Sequence, residues 1–191
     1  MKVLFIYVYL GLILCVFLPG LSQATTLRGL SLEQLAQRSD CVVSGRIVAR
    51  RSEQRGQIIY TVNSLAVDEV LYRARSGRAD VHQGQIVQVA QLGGQLGHWQ
   101  MPVAGTAHLQ PGDRQVLFLR SDAQRRGSFY IAGMSQGALK RFVNGDGDDD
   151  KLLWAATAPL LQNGRVQAAR AHWLRLSQLR LMLQQLSEVQ P

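Results

Sequence analysis

The five residues Gly133-Met134-Ser135-Gln136-Gly137 match G-x-S-x-G, the pattern in which a strained turn lifts a serine out of a sheet for use as a nucleophile. A strand-like stretch at 129–132 precedes them, aspartates at 146–150 follow, and His172 lies further on, so serine, acid and histidine occur in a workable order. The chemistry also requires a helix directly behind the serine and partners set by a βαβ framework. Here Ala138-Leu139-Lys140-Arg141-Phe142-Val143 runs into Asn144-Gly145, a strong hairpin signal, and reads as another strand. The motif therefore reads as a hairpin or bulge, with a hydrolase using Ser135 and His172 as the rival reading.

Asn144, Asp146, Asp148 and Asp150 place oxygen atoms at alternate positions, as a hard cation such as calcium requires. A calcium loop has glycine sixth and glutamate twelfth, where this chain has Asp149 and Ala155, so a solvated acidic hairpin tip is expected and weak calcium binding is the alternative. His82, His98, His108 and His172 lack the close spacing of zinc ligands. Gly93-Gly94 and Gly97 are not followed by the Lys-Ser/Thr pair of a phosphate loop. No cofactor or metal is expected. Cys41 opens a strand and reads as a small core residue.

Lys2 followed by the apolar run from Val3 to Leu18, then Pro19-Gly20 and Ser22-Gln23-Ala24, has the layout of a signal peptide over 1–24, with cleavage after Ala24. That apolar run is shorter than the roughly 20 residues a membrane span needs. Cys15 lies behind bulky Leu14 inside it, which excludes a lipoprotein cleavage site. The expected product is one exported domain over 25–191, periplasmic or extracellular. With Cys41 its sole cysteine, it must be held by its core.

The elements that would position the candidate residues are mainly strands. Ser31-Leu32-Glu33-Gln34 forms a capping box opening a short helix over 31–39. CVVSGRIVAR alternates, with Val43, Gly45, Ile47 and Ala49 on one face and Ser44, Arg46 and Arg50 on the other. QIIYTVNSLAVDEVLY, GQIVQVAQL, QVLFLR, SFYIAGM and GALKRFV continue as strands. The glycine-rich stretch between Gly93 and Gly112 is an excursion with a short strand near 99–103. Residues 41–143 form the barrel core, 144–157 the acidic hairpin tip and a strand, and 171–188 an amphipathic helix bearing Leu176, Leu179, Leu183 and Leu186. The expected fold is mainly β, a small OB-like antiparallel barrel with a short N-terminal and a longer C-terminal helix.

The net charge of +8 is carried by arginine, with lysine only at positions 2, 140 and 151. Arg46, Arg50, Arg51 and Arg55 form one group, Arg73, Arg75 and Arg78 a second, and Arg120, Arg125 and Arg126 a third. They lie mostly at strand ends and loops and lack interleaved aromatics, so they read as a solvated surface rather than a nucleic-acid site, with an anionic envelope polymer or another envelope protein as the alternative partner. Arg46, Arg50, His98 and Trp99 form the candidate binding surface. A further alternative is a structural or assembly role, with the C-terminal helix docking on a partner.

SLEQLAQRSDCVVSGRIV, IYT, VDEVLY, VQVAQLGG, PGDRQVLFL and YIAGMSQGALKRFV, in this order, resemble a family of exported bacterial proteins without an assigned activity. The order is also similar to the netrin/tissue-inhibitor-of-metalloproteinases module, over about residues 30–143. Ser39 to Ile47 and Pro111 to Leu119 occupy its entry and later strand segments. The resemblance implies an OB-type barrel and makes Gln136-Gly137 followed by a strand the recurring element. It implies no metalloproteinase inhibition, since that uses an N-terminal cysteine and several disulfides, whereas this domain would begin at Thr25.

Overall fold

The computed structural model describes residues 26–75, 79–143 and 150–189. Residues 1–24, expected to be a signal peptide, and Arg78, Asn144, Asp146 and Asp148 lie outside the described residues. In chain order the elements are β1 (Leu27–Arg28), α1 (Leu32–Gln37), β2 (Cys41–Arg55), β3 (Ile58–Arg73), β4 (Ile86–Leu92), β5 (Gly94–Leu96), β6 (Trp99–Met101) and β7 (Arg114–Ser121). There follow β8 (Ser128–Ile131), a 3-10 turn (Met134–Gly137), β9 (Ala138–Phe142), β10 (Lys151–Ala155), β11 (Leu160–Gln162), β12 (Arg165–Gln167), β13 (Ala171–Arg175) and α2 (Leu176–Val189).

Strand pairing closes on itself. β2 pairs with β3, β3 with β4, β4 in parallel with β8, β8 with β7, and β7 with β2. Five strands thus form a circuit of the size of an OB-type barrel. β9, β10 and β13 extend the same sheet outward from β7. The remaining pairings are a β5–β6 ribbon and a small sheet in which β11 lies between β1 and β12.

Two cores sit on opposite sides of the same strands. Cys41, Val43, Ile47, Leu65, Val67, Val87, Val89, Leu117, Leu119 and Phe129 fill the barrel interior. Val42, Val116, Phe118, Leu139 and Leu152 point the other way, onto Leu35 and Ala36 of α1 and Leu176, Leu179 and Leu183 of α2. The run Val116–Leu117–Phe118–Leu119 is apolar throughout because both faces of β7 are covered. Ser44, expected on the same face as Arg46 and Arg50, is fully buried, and its hydroxyl accepts from Arg141 Nη1 of β9. Cys41 is a core residue as expected, and its thiol is pushed up to about 12, chiefly by burial, with the Asp40 charge adding.

Ser31 caps α1 as the sequence requires: its hydroxyl accepts from Gln34 N, and the Gln34 side chain accepts from Ser31 N at 3.1 Å. The C-terminal helix begins later than expected. Residues 171–175 are strand β13, in register with Lys151–Ala155, because pairing with β10 satisfies their backbone. β1, β11 and β12 span only two or three residues each, too short to leave a period in the sequence.

The apolar face of α2 lies against its own barrel, with Met182 and Leu186 packed beside the three buried leucines and Arg180 Nη2 2.8 Å from Glu69 Oε2. The face that would have docked a partner is thus occupied within the chain. Among the described residues no helix is long and apolar enough to cross a membrane. Leu183→Ala should cost about 2–5 kcal/mol, read from the urea midpoint at constant slope. A loss below about 0.5 kcal/mol would show that the helix is not part of the core.

Candidate functional site

The inward face of β3 changes character along its length. Val67 and Leu65 are apolar, and the next inward residues are Asn63 and Thr61, opposite Val89 and Gln91 of β4. Thr61 Oγ1 donates to Gly93 O at 2.8 Å, Asn63 Nδ2 to Gln91 Oε1 at 3.0 Å, and Gln91 Nε2 to Ala107 O at 3.1 Å. These bonds draw the 93–108 excursion over the barrel mouth. A Cβ on Gly94 would collide with Thr61 Oγ1, so only glycine allows β5 to lie this close to β3.

Between the excursion and the barrel lies a cleft of about 330 Å³, lined by Arg50, Thr61, Gln91, Gln95, Gln100 and His108 among others, and by no carboxylate. Among the described residues the exposed Arg50 guanidinium has no hydrogen bond or ion pair. Beside it in register, buried Asn63 keeps its Oδ1 without a partner. The cleft thus offers a cationic fork, amides, hydroxyls and the imidazole of His108.

Of the residues expected to form a binding surface, Arg50 alone lines this cleft. Arg46 is exposed further along β2, in register with Arg114. His98 and Trp99 lie at the tip of the β5–β6 ribbon, where Trp99 is 72% exposed. His108 was missed, since nothing local marks it; only the bond from Gln91 to Ala107 brings its neighbourhood to Arg50.

The Gly133–Gly137 segment is where the chain leaves β8 for β9. Ser135 is 1% exposed; its N–H donates to Gly105 O at 2.9 Å, and its Oγ accepts from Thr157 N at 3.0 Å. Thr157 Oγ1 in turn donates to Thr106 O at 2.9 Å. Gln136 accepts from Leu30 N at 2.9 Å and donates to Arg28 O at 3.0 Å, holding the N-terminal segment, while its own carbonyl accepts from Trp154 Nε1 at 2.7 Å. A Cβ on Gly137 would collide with Ala132 O, which fixes glycine at this reversal. The turn ties the excursion, the 156–159 connection and the N-terminus together. His172 is exposed on β13, its ring 5.9 Å from that of Trp154, and lines a different cavity from Ser135. Among the described residues no imidazole is hydrogen-bonded to Ser135.

Asp150, the one calcium candidate within the described residues, does not face solvent as a hairpin tip would. It is fully buried, with Oδ2 accepting from Arg141 Nε at 2.6 Å, and Arg141 Nη1 donates to Ser44 Oγ at 2.7 Å. Among the described residues no three His, Cys, Asp or Glu side chains are grouped to hold a metal ion.

At the far end of the β2–β3 hairpin, Glu53 takes Arg51, Arg55 and Arg125 into ion pairs, and the hydrogen bond from Arg55 is the main reason its carboxyl lies below the usual range. Tyr130 donates to Asp122 Oδ2 at 3.0 Å and is raised, first by burial. No protein-family model matches the chain, and no curated protein matches it.

Ser135→Ala should cost about 1–3 kcal/mol, because it leaves the Thr157 N–H without its acceptor, and should speed hydrogen exchange at that amide. A fluorophosphonate probe should leave Ser135 unlabelled in the native protein. Labelling that disappears in the alanine variant would establish a nucleophile instead.

Proposed function

We propose that the chain is a non-enzymatic binding domain of the cell envelope, exported by the signal sequence over 1–24, and that it takes an acidic polymer segment into the cleft at its barrel mouth. The observation that carries this reading is the Arg50 guanidinium, unpaired among the described residues, at a concave surface without a carboxylate. A guanidinium presents a planar fork that matches a carboxylate in two parallel hydrogen bonds. Gln100, whose side chain has no hydrogen bond among the described residues, supplies an amide for hydroxyl groups flanking such a carboxylate, and Gln95 keeps its amide oxygen for the same use.

The catalytic-looking serine enters this reading in a supporting role. Through Gly105 and Thr157 it fixes the wall of the cleft that Thr106 contributes.

The test is calorimetric titration of the mature domain with oligogalacturonate, set against the methyl ester of the same oligomer. Arg50→Ala should weaken oligogalacturonate binding about 10- to 100-fold, as loss of one charge-assisted contact implies. Arg50→Lys should recover part of the loss, and raising the salt concentration should weaken the unsubstituted protein more than the alanine variant. Equal affinity for the ester, or an unchanged Arg50→Ala, would overturn the proposal.

A further inference from the structure

A second cavity, of about 410 Å³, lies on the other side of the Gly133–Gly137 turn. Three separate parts of the chain wall it: Gly29-Leu30-Ser31 ahead of α1, the β11–β12 hairpin with the 168–170 connection, and Trp154 with His172 on β10 and β13. We infer that this cavity is a second ligand site, built for a single pyranose ring that carries a carboxylate.

Trp154 supports this most directly. Its only polar atom, Nε1, is engaged by Gln136 O at 2.7 Å, so the ring is fixed and has only its apolar surface to offer a ligand. His172 lies against it with ring centroids 5.9 Å apart and planes tilted by 44°, extending the aromatic wall. A rigid aromatic surface suits the C–H face of a sugar ring, because neither partner loses a hydrogen bond or much conformational freedom on contact.

The opposite wall is polar. Gln162, Gln167 and Arg170 line the cavity, and among the described residues none of their side chains has a hydrogen bond or ion pair. Cross-strand pairing sets Gln162 against Arg165 and Leu160 against Gln167, so Leu160, Gln162 and Gln167 share the face turned to the cavity. The partner residues Leu161 and Val166 lie on the opposite face of the hairpin and are exposed. No carboxylate lines the cavity, and from Lys151 to Ser187 the chain contains none. Amides suit ring hydroxyls, and the Arg170 guanidinium suits a ring carboxylate.

This inference extends the proposed function, since two sites on one domain would engage an acidic polysaccharide at two units and raise its apparent affinity. It rests on different residues from the barrel-mouth cleft, and its test separates the two. The mature domain is titrated with methyl galacturonoside, a single acidic ring, and tryptophan fluorescence is followed, with methyl galactoside as the neutral control. Variants are Arg170→Ala and Gln167→Ala, both at exposed positions, together with Trp154→Phe, whose melting temperature is checked first, and Arg50→Ala.

The expected result is a fluorescence change with the acidic ring, weakened at least tenfold by Arg170→Ala but retained by Arg50→Ala; for Trp154→Phe, which removes the reporting indole, binding is read by calorimetry and should weaken at least tenfold. The neutral ring should bind at least tenfold more weakly. An acidic-ring signal indifferent to Arg170→Ala, or no binding of the single ring to the unsubstituted protein, would overturn the site. If Arg170→Ala weakens binding while Arg50→Ala leaves oligogalacturonate affinity unchanged, this site stands and the cleft reading fails.

Discussion

The architecture depends on β7 serving three neighbours. One edge pairs with β2 throughout residues 114–119, whereas the other is divided, with Gln115 to Leu117 bonded to β9 and Leu119 to Ser121 bonded to β8. The β8 half closes the barrel and the β9 half begins the sheet extension. A chain that pairs twice with one edge of a strand must reverse sharply between the two pairings. Residues 132–137 make that reversal, with Ala132 N donating to Phe118 O at 2.8 Å just before it. The conformation of Gly133, at φ +70°, and the tight approach at Gly137 follow from this constraint. A pentapeptide that resembles a catalytic elbow is thus the joint between two parts of one sheet.

How much of this was legible depended on whether the cause was local. The Ser31 capping box could be read because both of its bonds fall within one turn of helix. The alternation of β2 could be read as far as Ile47, but the irregularity between Ile47 and Ala49, which sets Arg50 beside buried Asn63, could not, nor could the burial of Ser44, whose hydroxyl accepts from Arg141 far along the chain on β9. Residues 171–175 read as helix because the leucine spacing that follows them is helical; only the pairing with β10 makes them strand. Arg50 was singled out from the sequence, whereas His108 and the Trp154–His172 wall depend on contacts distant along the chain. Asp150 read as part of an acidic tip, and its burial against Arg141 required the sheet extension to be in place.

The placement of carboxylates explains why a basic chain has open cationic surfaces. Glu53 engages three arginines, Asp68 engages Arg114, Glu69 engages Arg180, Asp113 engages Lys140 and Asp150 engages Arg141. These pairs lie along strand faces and hairpin ends, where they fix register and the approach of neighbouring elements. Arginine outnumbers acid overall, so Arg50 and Arg170 remain at cavities without a counterion among the described residues.

Cys41 gives the barrel an internal clock. Downstream of Ala24 it is the sole cysteine, its side chain is wholly enclosed between β3 and β7, and the proton on its sulfur is held far more tightly than in water. A soluble maleimide can reach that sulfur only when the strands around it separate, and the thiolate that reacts forms only then. Under conditions where reaction outpaces reclosure, the rate of labelling equals the rate of barrel opening. The domain downstream of Ala24 therefore reports its own breathing at one defined point, without any engineered probe.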